Sequence, residues 1–119
     1  MQQIMNVARR VQAIDRYSIA LANINMHREF AARLLQLFDR RHQAAAIGLV
    51  HQFCPQFDKQ LLGYEFRLDY IEAIQLDDRQ ALCRYLQEQE DEYLIQLEET
   101  RPVADDLLPR VQSVADQCS

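Results

Sequence analysis

Apolar side chains recur three and four residues apart along most of this chain, a period that fits an α-helix burying one face. From the N-terminus Ile4, Val7, Val11, Ile14 and Leu21 form a single stripe, with Ser18 as its polar interruption. A first helix is expected over about residues 2–24, with Asn23 and Asn25 as the local residues able to end it. A second segment carries Phe30, Leu34, Leu37 and Phe38, then Ala44, Ala45, Ile47, Val50 and Phe53, and stops where Cys54 precedes Pro55. The apolar register pauses at Arg40-Arg41, which fits either a kink or a split into two helices.

Beyond the proline, Asp58 suits the cap of a third helix bearing Leu61, Leu62, Tyr64, Phe66, Leu68, Tyr70, Ile71 and Ile74, a face wide enough to touch more than one neighbour. Asp77 followed by Gln80 has the spacing of a capping box, in which each side chain satisfies an exposed first-turn amide. The helix it opens shows Leu82, Tyr85, Leu86, Tyr93, Leu94 and Leu97 on one side and ends at Pro102. Asp105 and Asp106 are candidate caps for a short last helix through Leu107, Leu108, Val111 and Val114, with Pro109 in its first turn.

The expected fold is therefore all-α, an up-and-down bundle of four or five antiparallel helices in one domain over 1–119. Good helix formers dominate and only two glycines occur, so the turn chemistry of a β fold is missing. The alternative is a short stack of helical hairpins, since residues 24–31 and 74–81 match loosely. That pattern looks somewhat like tetratricopeptide repeats, but their small and aromatic residues are not in register and two units fall short of three, so no family is assigned.

Charge is uneven. Residues 1–60 hold eight Lys/Arg against four Asp/Glu and residues 61–119 hold five against fourteen, so halves of +4 and −9 give the net −5. Complementary halves attract within one bundle or between two copies, and the intramolecular reading is preferred. The three cysteines, Cys54, Cys83 and Cys118, are odd in number and far apart, which argues for ordinary thiols in a reducing cytoplasm. Arginines interrupt every apolar run before the roughly 18 residues a membrane span needs, and no secretory leader is read at the N-terminus.

Chemistry-bearing patterns are sparse. No Glu-x-x-His pair of a di-iron bundle occurs, and Gly48 and Gly63 stand apart from any phosphate-binding fingerprint. His51 and Cys54 share a helical face but supply one ligand pair where structural zinc shows two, so no metal or cofactor is expected. Arginines 9, 10, 16, 28, 33, 40 and 41 suit phosphates, but Pro55 would interrupt a recognition helix and the acidic second half repels a polyanion, which disfavours nucleic acid.

Enzymatic activity is disfavoured by the scarcity of loops. What remains is a binding role. Phe57, Tyr64, Phe66 and Tyr70 crowd one stretch, and alternation from 64 to 70 sends at least one side chain away from a single core face; with Arg40 and Arg41 they are the candidate partner-binding residues. The expected function is a small adaptor, chaperone or regulatory subunit that binds a protein partner, or a second copy of itself, through helix faces. The alternative is a small-molecule sensor or an enzyme with a pocket inside the bundle, where His27, His42 or His51 would face a cavity.

Overall fold

The computed structural model describes the backbone of residues 2–54, 63–101 and 110–119 and the side chains of 15–54, 66–101 and 110–119. Among the described residues the regular structure is wholly helical: α1 (Gln2–Asp39), α2 (Gln43–Phe53), α3 (Gly63–Gln75), α4 (Arg79–Thr100) and α5 (Val114–Cys118). No helix described is long and apolar enough to cross a membrane.

The first helix runs on through Asn23 and Asn25, where a boundary is expected from the sequence. Asn25 does not turn its side chain on the local backbone; its Oδ1 accepts the distant Arg110 N–H at 2.9 Å, so a long-range contact removes the competition that makes asparagine a helix breaker. The 38 residues of α1 rise about 57 Å at about 1.5 Å each, which accounts for the 59 Å length of the molecule.

At Arg40-Arg41 the chain splits rather than kinks. Arg41 takes φ 62°, its N–H donates to Phe38 O at 3.0 Å, and the next amide, of His42, reaches back to Leu37 O at 2.9 Å. This is a Schellman closure, and it satisfies carbonyls the helix end would otherwise leave bare. The α3–α4 turn repeats it: Asp77 takes φ 54°, its N–H donates to Ile74 O at 3.2 Å, and Asp78 N–H donates to Ala73 O at 2.9 Å. Asp78, not Asp77, caps α4, accepting Ala81 N–H at 3.0 Å. The sequence-expected cap is thus one residue early, because Asp77 is spent on the left-handed position.

Each of the first four helices packs on the next, and α4 closes back on α1. The closure makes a ring rather than an open stack of hairpins. Contacts between α1 and α4 run in opposite order along the two helices: Tyr17 and Ala20 with Leu97, Arg28 with Glu90, Asp39 with Arg79. Ile24, Phe30, Leu34, Val50, Tyr70, Leu82, Leu86 and Tyr93 fill the centre, each almost fully buried. Burying such side chains contributes about 1.5 to 3 kcal/mol apiece and is what makes helices of this length stable.

The last helix begins at Val114, capped by Ser113, and lies against α1 and α4. The expected caps Asp105 and Asp106, with Leu107, Leu108 and Pro109, fall outside the described residues, as does Asp58. Folding back brings Cys118 to Cys83, and the two form a disulfide. The expectation of three ordinary thiols is corrected for this pair: nothing in the spacing announces that α5 returns to α4. Cys54 stays free and buried, its thiol pushed up to about 11 by burial against a smaller opposing pull from Arg67.

Candidate functional site

The aromatic side chains line up across the bundle. Phe53 of α2 stacks on Phe30 of α1 at 5.7 Å, Phe30 meets Tyr70 of α3 at 5.7 Å, Tyr70 stacks on Phe66 at 6.0 Å, and Phe66 reaches Tyr85 of α4 at 6.4 Å. Each end of the row is covered by a guanidinium, Arg33 over Phe53 at 5.0 Å and Arg84 over Tyr85 at 5.2 Å. Tyr70 is only 1 % exposed and belongs to the core; Phe66 is half-buried against it. In the stretch 66–70 the side chain that points away is Leu68, 72 % exposed. Phe57 lies outside the described residues, and so does the side chain of Tyr64.

Arg40 and Arg41 stand exposed at one end of the bundle, where the two Schellman turns sit side by side. Asp39 accepts two hydrogen bonds from Arg79, Nε to Oδ1 at 2.9 Å and Nη2 to Oδ2 at 3.3 Å, which ties the first turn to the second. The Gln43 amide adds a donor to Ile74 O at 3.4 Å. Between the turns lies a shallow concavity of about 260 Å³, lined by Phe38, Arg41, Gln43, Ile74, Gln75 and Asp77. Leu76, one residue along, is 67 % exposed. An apolar side chain on a rim of opposite charges is what this end presents, and it is built on helix termini held by backbone hydrogen bonds.

A second arrangement is internal. His27, fully buried, places Nε2 2.9 Å from Leu86 O and its ring 5.5 Å from Tyr93. Burial holds the imidazole pKa down at about 4, overriding the backbone carbonyl and Glu90, which favour the cation. The ring is therefore neutral at pH 7, and Nε2 is the nitrogen that carries the proton to Leu86 O. The Tyr70 hydroxyl and the Gln89 amide are also buried, with no hydrogen-bond partner among the described residues. Next to His27 in the chain, Arg28 donates Nε to Glu90 Oε2 at 2.9 Å, with both side chains almost wholly out of water. Glu90 Oε2 also accepts Val114 N–H at 2.7 Å, and Gln87 donates to its other oxygen at 3.1 Å.

Sequence reasoning missed this pair. The signal was present as a cation inside the Ile24–Ala31–Leu34 stripe and an anion inside the Leu86–Tyr93–Leu97 stripe, two charges on faces that must be buried. Among histidines, His42 and His51 are exposed, and among the described residues no three metal-ligating side chains converge. Comparison with protein-family models, with curated proteins and with solved structures finds no match to this chain.

Proposed function

We propose that this chain is a protein-binding helical module, a small cytoplasmic adaptor, chaperone or regulatory subunit, whose contact surface is the end of the bundle where its two turns meet. The observation that supports the reading most is the exposed Leu76 beside Arg40, Arg41 and Asp77 on a rigid rim. Large apolar and arginine side chains on a firm scaffold are the groups that carry binding energy at protein interfaces. The partner surface that fits offers an apolar side chain for the Phe38–Ile74 concavity and a carboxylate for Arg41.

The test is purification of tagged wild-type chain from its native host beside Leu76→Asp and Ile19→Asp variants, with light scattering on each. A stoichiometric protein partner, or a dimer, that is lost on Leu76→Asp and kept on Ile19→Asp supports the reading. A monomer that brings no protein with it but gains thermal stability from a metabolite contradicts it.

A further inference from the structure

Residues 110–119 cross α1 and α4 as a strap, and their attachments divide into one covalent bond and a handful of polar contacts. Val114 is the only strap residue that is fully buried, and its N–H lies on Glu90. Arg28 donates Nη1 to Val111 O at 3.3 Å, Gln117 donates Nε2 to Arg28 O at 3.1 Å, and Arg79 donates Nη1 to Cys118 O at 3.0 Å. The strap thus closes the slot in which Arg28 and Glu90 are paired, 8 % and 2 % exposed. Hydrogen bonds of this kind are exchanged against water with little net gain, and one buried valine offsets little of the conformational freedom that ten ordered residues give up. Covalent closure between residues 35 apart changes the balance, because the strap no longer leaves its site when a contact breaks.

We propose that the Cys83–Cys118 bond is a redox latch, which a dithiol reductant opens to release residues 110–119 and uncover the Arg28–Glu90 slot. Both sulfurs belong to half-buried residues, so a thiolate can reach them. Attack falls on Cys118 Sγ, because the other sulfur, Cys83 Sγ, has a guanidinium beside it and is the better leaving group. The bond to Cys83 breaks and its electron pair leaves on Cys83 Sγ, where Arg79 Nη1 stands 3.9 Å away to stabilise the thiolate. The second thiol of the reductant then displaces Cys118 from the mixed disulfide. Both cysteine thiolates take protons from water, and the reductant ends as a disulfide; two electrons and two protons have entered the protein. In a reducing compartment such a bond is of the transient, sensing kind, and the latch does not depend on what the turn end binds.

Amide hydrogen exchange on the full chain tests this, with protein purified without reductant compared with the same protein after dithiothreitol. Exchange across 110–119 is expected to rise at least tenfold on reduction while amides around Leu34 and Leu86 keep their protection. Cys118→Ser is expected to show the released pattern with or without dithiothreitol. Equal protection of the strap in oxidised, reduced and Cys118→Ser protein overturns the latch. So does parallel loss of protection in α1 and α4, or recovery of three free thiols from protein never exposed to reductant.

Discussion

Arg28 and Glu90, 62 residues apart in the chain, meet at 2.9 Å in the interior and supply an ion pair that α1, α4 and α5 share. Two charges out of water are tolerated because each is paired and further hydrogen-bonded: Glu90 takes Arg28, Gln87 and the Val114 amide, and Arg28 also donates Nη1 to Val111 O. Removing one member strands the other.

Arg28→Met and Glu90→Leu are each therefore expected to cost about 3 to 5 kcal/mol in urea unfolding. Replacing both, as Arg28→Met with Glu90→Leu, is expected to recover more than half of that loss, because no uncompensated charge remains. Losses that simply add in the double variant would mean the pair is not desolvated as a unit.

The neutral His27 sets a pH dependence. Its pKa is about 4 in the folded chain against an ordinary 6.5, so between those values the unfolded chain takes up a proton that the folded chain refuses. Its contribution is complete above pH 6.5 and is lost as pH falls toward 4, on the order of 3 kcal/mol in all. His27→Gln keeps a donor for Leu86 O and has no proton to gain, so its stability should fall less than wild type between pH 7 and 4. Parallel unfolding free energies for the two proteins across that window would rule the explanation out.

Arg41 occupies left-handed backbone at φ 62°, where a side chain is strained and glycine is not. Arg41→Gly should raise stability by about 1 kcal/mol in thermal or urea unfolding. It should also weaken partner binding, since the guanidinium on the rim is gone. A variant that is destabilised would show that Arg41 is kept for the fold; one that binds as before would remove it from the contact surface.

Helix content and a discontinuity near residue 41 were legible because they rest on local physics, the three-to-four period of Leu34, Leu37 and Phe38 and its pause at Arg40-Arg41; whether the chain kinks or splits there was not, since that turns on Arg41 taking the left-handed position. The misplaced boundary at Asn25 and the misplaced cap at Asp77 share a cause. Each residue type has a strong local preference, and each is used here for something decided elsewhere: a hydrogen bond to Arg110, and the left-handed seat of a Schellman turn. The Cys83–Cys118 bond was illegible for the same reason, since it depends on where α5 docks. Of the candidate site, Arg40 and Arg41 do lie on an exposed end, whereas Tyr70 proves to be core because α1 supplies Phe30 to cover it.

The contact surface at the turn end requires α1 and α4 to run antiparallel, so that residues 39–42 and 76–79 sit together. Nitroxides at Arg40 and Asp78, both exposed, report this directly by pulsed electron resonance. Antiparallel packing with the Asp39–Arg79 contact predicts a separation within about two helix diameters, ~20 Å. A distance near the full length of α4, about 33 Å for its 22 residues, would place the turns at opposite ends and contradict the contact surface proposed on them.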